Sequence, residues 1–206
     1  MKITYNNKKI KNIEYYEVYT DGHFAFNVPN ELFLALSIYD KNELEVDEIE
    51  RIKNITLTNN AKSVALKSLT IKMTSRKEAF DKLIEKGFDK DVAEAALNSL
   101  ASLGYINDKM YAMKYISDRL RLKPKSKKLI KFELVSKGVD QKVADEILSE
   151  WSVDEEAVAE GLLRKKFGKY NLSEPSVNKK MYSFLQHRGY DYELILRLIE
   201  KVKENQ

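Results

Sequence analysis

The sequence contains no cysteine. Disulfide frameworks, thiolate zinc sites, iron–sulfur clusters and cysteine nucleophiles are therefore excluded. Glycine (7) and proline (3) are scarce among 206 residues. Helix interiors reject both, so the composition predicts a mostly helical chain. The only histidines are His23 and His187, too few and too far apart for a metal set. No apolar run reaches 18 residues, and residues 1–6 lack the apolar core of a signal peptide. Neither export nor a membrane partner is expected, and the expected location is the cytoplasm.

An excess of one charge is lacking too. Thirty-six bases against 32 acids leave a net charge of +4, but the charges are segregated. Residues 43–50 hold five acids and no base, and residues 140–160 hold eight acids against Lys142 alone. Residues 119–131 hold seven bases and no acid: Arg119, Arg121, Lys123, Lys125, Lys127, Lys128 and Lys131. Such segregation suits a polyanion or an acidic protein face, although a charge run is as often a solvated helix end.

The main organising feature is a repeat. The pattern basic–Gly–apolar–Asp occurs as Lys86-Gly87-Phe88-Asp89, Lys137-Gly138-Val139-Asp140 and Arg188-Gly189-Tyr190-Asp191, spaced by 51 residues both times. Leu83, Leu134 and Leu185 precede it by a constant interval. After it comes the same apolar stripe: Val92, Ala93, Ala96, Leu97, Leu100; then Val143, Ala144, Ile147, Leu148, Trp151; then Leu194, Ile195, Leu198, Ile199, Val202. The offsets trace one helix face. Within the pattern, the base suits the negative end of a helix, glycine supplies a left-handed backbone, and aspartate can cap the next helix. Each pair is preceded by another helix, over 59–72, 108–122 and 154–167. Pro124 and Pro175 suit the start of the helix that follows.

The predicted fold is thus mostly α. Three tandem three-helix repeats form an elongated array over 59–106, 107–152 and 153–206, behind an N-terminal extension, 1–58. That extension contains a β-hairpin turning at Asp21-Gly22, with a third strand near residues 2–6, then helices over 31–38 and 46–57.

No enzymatic constellation emerges. Gly161 to Lys169 fails as a phosphate loop, because six residues separate its glycines where four are required and Tyr170 stands where Ser or Thr is needed. Ser176 and Lys179 have serine–lysine spacing without a supporting motif. Three-helix units invite a helix-turn-helix reading, yet the third helices are acidic or neutral: 140–150 carries Asp140, Asp145, Glu146 and Glu150 against Lys142. Phosphates would repel such a helix. Tyr105, Tyr111 and Tyr115 are candidates for base stacking, with helix packing the commoner role.

The residues resemble the RecX family, bacterial modulators of the RecA recombinase. The resemblance is carried by Ser75-Arg76-Lys77-Glu78 through Leu83 to Gly87-Phe88, by Leu103-Gly104-Tyr105-Ile106-Asn107-Asp108 with Tyr111-Ala112, and by Arg119, Glu133-Leu134 and Lys137-Gly138-Val139. The stretch from Phe184-Leu185 to Gly189-Tyr190 matches as well. The sequence departs from the family at Asn107, where Asp is common, and around Lys123-Pro124-Lys125, which lacks a frequent glycine. The resemblance implies tandem three-helix repeats lying in the groove of a RecA–DNA filament, without catalysis or cofactor, and usually inhibiting it. The expected partners are the RecA filament and, weakly and without sequence preference, single- or double-stranded DNA; the chain is expected to be a monomer. The expected contact residues are the seven bases of 119–131 together with Arg76, Lys77, Lys179 and Lys180. The competing reading is a helix-turn-helix protein acting directly on DNA.

Overall fold

The computed structural model describes residues 1–10 and 13–204. Among them are a three-stranded antiparallel sheet and ten α-helices, grouped into two compact units. The first unit comprises residues 1–72 and 79–106, and the second comprises 73–78 and 107–206.

In the first unit, β1 (Ile3–Ile10), β2 (Ile13–Thr20) and β3 (His23–Pro29) pair in chain order. The Asp21-Gly22 turn has φ of 48° and 84°, the doubly left-handed turn that matches strand twist. Val18, Phe26 and Val28 point to a core closed by Phe33 of α1 (Asn30–Ala35) and by Ile38, which opens a 3-10 turn. The Tyr16 ring stacks on Phe33 with centroids 3.8 Å apart.

The next helix, α2, runs unbroken from Val46 to Leu69. The sequence pattern predicts two helices here, with a domain boundary after residue 58, but no glycine or proline interrupts residues 46–69 and the two segments fuse. Ile49 and Ile52 enter the sheet's core, whereas Ala61 and Ala65 enter that of the first repeat. There they meet Ala79 and Leu83 of α3 (Arg76–Glu85) and Ala93, Ala96, Leu97 and Leu100 of α4 (Lys90–Ser102). The stripe read from the repeat is therefore a core face. Division into the extension and three repeats remains a proposal from the sequence period.

The second unit contains α5 (Asp108–Leu122), α6 (Lys127–Ser136) and α7 (Gln141–Glu150), followed by α8 (Glu155–Phe167), α9 (Pro175–Gln186) and α10 (Tyr192–Glu204). Each triplet has its own core. The three corners share one hydrogen-bond pattern. Phe88, Val139 and Tyr190 donate from their backbone N–H to the carbonyls of Leu83, Leu134 and Leu185, and the glycines donate to Ile84, Val135 and Gln186. This six-to-one and five-to-two closure needs the left-handed residue that glycine supplies; φ is +86° at Gly87, +87° at Gly138 and +81° at Gly189.

The three aspartates do not share one role. Asp140 accepts from the N–H groups of Lys142 and Val143, Asp89 makes no side-chain cap bond, and Asp191 pairs with Lys128 at 3.0 Å. Pro175 opens α9 as expected, whereas Pro124 lies two residues ahead of Ser126, the residue that caps α6. Asn107 performs the capping expected of an aspartate, accepting from Met110 N–H at 3.0 Å.

Within the second unit, two corners dock on helix starts in the same way. Ser75 Oγ donates to the Lys137 carbonyl at 2.7 Å, and Ser126 Oγ donates to the Gly189 carbonyl at 2.7 Å. A Cβ added at Gly138 would lie 2.4 Å from Lys77 Cβ, and one at Gly189 would lie 2.5 Å from Leu129 Cβ. These glycines thus serve contact as well as conformation. One added at Gly87 would meet nothing within 4 Å.

Candidate nucleic-acid interface

The basic run at residues 119–131 spans the end of α5, a short connection and the start of α6, and the fold supplies the acids that its sequence lacks. Arg119 Nη2 donates to Tyr115 Oη at 2.7 Å, and Tyr115 Oη donates to Glu133 Oε2 at 2.8 Å. Arg119 Nε is buried 3.4 Å from the same carboxylate oxygen, an ion pair without a hydrogen bond. Lys125 bonds the other Glu133 oxygen. Burial pushes the Glu133 carboxyl up, but bonds from Lys125 and Tyr115, with the charges of Lys125 and Arg119, outweigh it and hold the group below its ordinary value. Burial raises the Tyr115 hydroxyl.

The remaining bases of the run divide. Lys127 donates from its backbone to Glu155 and from Nζ to the Trp151 carbonyl, both at 2.6 Å. Lys131 bonds Asp145 at 2.8 Å. Lys128 meets Asp191 on an exposed surface, where a pair of this kind contributes only about 0–1 kcal/mol. Arg121 has only Asp118, 3.9 Å away on its own helix, and Lys123 forms no ion pair among the described residues. Arg119, Lys125, Lys127 and Lys131 therefore build the repeat, while Arg121, Lys123 and Lys128 face solvent.

Of the outlying candidates, Lys77 Nζ donates to the Ser136 carbonyl at 3.0 Å, and its Cβ packs on Gly138. The Arg76 backbone donates to Asp108 at 2.8 Å. Next to Lys77, Glu78 bonds Lys137 at 2.6 Å and raises the pKa of that ammonium. Tyr111 is buried and Tyr115 belongs to the Glu133 network, whereas Tyr105 is exposed.

Lys179 and Lys180 lie in a different setting. A cleft of about 560 Å³ opens between the end of α8, the loop after it and the outer face of α9. Its walls carry Lys166, Lys179, Lys180 and Arg188, with Tyr170 and Phe184, and no carboxylate. Lys166 Nζ lies 4.1 Å, and Arg188 Cζ 3.7 Å, from the centroid of the same Phe184 ring. Arg188 also donates to the Phe184 carbonyl at 2.9 Å. Burial lowers the Arg188 pKa, and only the Tyr190 hydroxyl acts against that. Sequence reasoning found Lys179 and Lys180 but missed Lys166 and Arg188, which join them only when α8 packs on α9. The signal available was a run of bases without acids, Arg164 to Lys169, lying one helix upstream.

Among the described residues, no group of three or more His, Asp or Glu side chains is placed to hold a metal ion. No helix is long and apolar enough to cross a membrane.

These features define a class: a helical repeat protein whose three-helix units follow one another in the chain, with a cation-rich cleft in the last. Family comparison resolves it further. Residues 61–100, 107–148 and 154–199 match the first, second and third three-helix domains of RecX, respectively. The chain is 31% identical to the regulatory protein RecX of Clostridium perfringens (strain SM101 / Type A) over 209 aligned residues, covering 100% of this chain and 98% of that one. It therefore belongs to the RecX family. The crystal structure of a regulatory protein RecX shares the fold, with a TM-score of 0.73 at 23% identity over 94% of this chain and 100% of that one. RecX from Lactobacillus salivarius gives 0.56 at 25% identity, over 72% and 97%.

Proposed function

We propose that this protein is a non-enzymatic modulator, in the inhibitory direction, of the RecA recombinase. In this reading it acts in the cytoplasm by binding the groove of the RecA–DNA filament and altering filament assembly, ATP turnover and strand exchange. The observation that carries the reading is the succession of three RecX three-helix domains in one chain. Serial units let modest contacts with successive protomers add through effective concentration. The bond from Ser126 to the Gly189 carbonyl supports a fixed relation between the second and third repeats, which such multivalency needs.

Arg121, Lys123 and Lys128 are the bases of the 119–131 run we assign to the filament, because the others are spent inside the repeat. The acidic faces of α4 and α7 would meet basic filament loops. The test is RecA ATPase on single-stranded DNA with substoichiometric protein. Inhibition is expected far below one copy per RecA; a requirement for enough protein to cover the DNA would replace this reading with direct competition for DNA. Reversing Arg121, Lys123 and Lys128 to Glu should relieve the inhibition.

A further inference from the structure

The α8–α9 cleft has a chemistry that the filament reading does not use. None of Lys166, Lys179, Lys180 and Arg188 forms an ion pair among the described residues. Two of these cations are held against one ring, within about 4 Å of its centroid. A ring face holds a cation by its quadrupole and limits its freedom, so less order is lost when an anion arrives. Like charges gathered without a carboxylate repel one another, and an anion entering the cleft relieves that repulsion. The site is therefore built for negative charge.

Shape and the aromatic residues narrow the ligand. Reading a duplex requires a helix or ribbon that projects into a groove, whereas this site is concave. A single strand fits a concave basic channel, with its phosphates on the walls and its bases on aromatic rims. Tyr170, 49% exposed, stands at the rim, with its ring centroid 5.7 Å from that of Phe167. An acidic protein face would present carboxylates on a convex surface and would leave Tyr170 unused.

We propose that this cleft binds single-stranded nucleic acid, with Lys166, Lys179, Lys180 and Arg188 on successive phosphates and Tyr170 against a base. The inference concerns nucleic acid alone and stands whether or not the chain acts on a recombinase.

The test uses the full chain without RecA, a fluorescent 15-residue oligo-dT, and anisotropy over a range of salt. Substituting Lys179→Glu with Lys180→Glu should weaken binding more than tenfold and flatten the salt slope by about 1.4, at about 0.7 for each phosphate that is no longer neutralised. Lys179→Gln with Lys180→Gln should weaken it in the same direction, by less, and guards against misfolding of the reversed variant. Tyr170→Ala should weaken binding about fivefold at unchanged slope, the mark of missing base stacking. Lys62→Glu with Lys86→Glu, two bases outside both basic clusters, should leave the affinity within twofold. Four results would overturn the proposal: affinity unchanged in both Lys179/Lys180 variants, an equal loss in the Lys62/Lys86 pair, preference for a duplex of the same length, or displacement of oligo-dT by poly-glutamate at equal charge.

Discussion

Glu133 and Phe184 stand 51 residues apart, at the same place in successive repeats. In the earlier repeat the carboxylate draws in Arg119 and Lys125 and neutralises them. In the later one a phenyl ring takes that place, and Lys166 and Arg188 gather on it with their charge intact. Cover differs as well. The start of α6 lies beneath the Gly189 corner, where Ser126 holds the Gly189 carbonyl. The start of α9, at Pro175, has neither a side-chain cap nor such a bond. One substitution on a common scaffold thus turns internal cement into an offered surface. A basic run is read correctly only once the carboxylates that the fold brings to it are counted.

The covered junction is most sensitive at its glycine. Gly189→Ala places a Cβ 2.5 Å from Leu129 Cβ and 2.7 Å from Ser126 Oγ on a backbone at φ +81°. A left-handed Cβ costs about 1–2 kcal/mol and overpacking about 1–3 more, so a loss of about 2–5 kcal/mol is expected in urea unfolding. Gly87→Ala has the same backbone strain and open space, and should cost only the first part. Equal losses at the two corners would show that the docking of the corner on α6 contributes nothing.

A smaller effect separates the two charge clusters. Glu133→Gln leaves Arg119 and Lys125 half-buried without their counter-charge, and the expected loss at neutral pH is about 2 kcal/mol, below the range for fully buried pairs. Because folding lowers this carboxyl's pKa, its contribution is complete above the ordinary glutamate value of about 4.3 and fades as pH falls through the folded value. Wild type and variant should therefore converge in stability in acid. A gap that stays constant as pH is lowered from neutral into acid would assign the loss to packing instead of charge.

Much of this was legible from the spacing of the corners. Three glycines with their flanking leucines located the helices that carry Leu97, Ile147 and Leu198 into cores, because a Schellman closure and a helical stripe are local patterns. The Asp21-Gly22 turn was legible for the same reason. The continuity of α2 was not, because nothing in residues 57–60 says that two apolar faces belong to one helix serving two cores. The basic surface was the least legible part. Lys127 meets Glu155, and Lys131 meets Asp145, across distances in sequence that only packing decides. Lys166 joins Lys179 and Lys180 by the same route.

Another matched pair, Val139 and Tyr190, sharpens the comparison with a smaller effect at alkaline pH. Both follow the corner glycine and both are buried, but only Tyr190 titrates. Burial, with the charge of Glu155 and against that of Arg188, pushes its hydroxyl up to about 12. The unfolded chain ionises near the ordinary value of about 10, so the folded state holds the extra proton between these limits, and stability falls as pH rises from about 10 through 12. Tyr190→Phe removes that slope. The variant should gain about 1–2 kcal/mol on wild type across the window in unfolding measured by circular dichroism. Parallel curves would mean that the hydroxyl reaches water.

The smallest expected effect separates surface from scaffold. If α9 displays its lysines instead of using them, Lys179→Ala with Lys180→Ala should change unfolding free energy by no more than about 0.5 kcal/mol, as exposed substitutions without partners do. Lys127→Ala, by the same measurement, should cost about 1 kcal/mol or more, because it removes a part-buried bond to the Trp151 carbonyl, and Lys131→Ala, which loses an exposed pair with Asp145, about 0.5–1 kcal/mol. A stability loss in the α9 pair equal to that in the α6 residues would make both clusters structural and dissolve the contrast between them. Stability unchanged alongside weakened oligo-dT binding would place the retained charge of the third repeat in recognition.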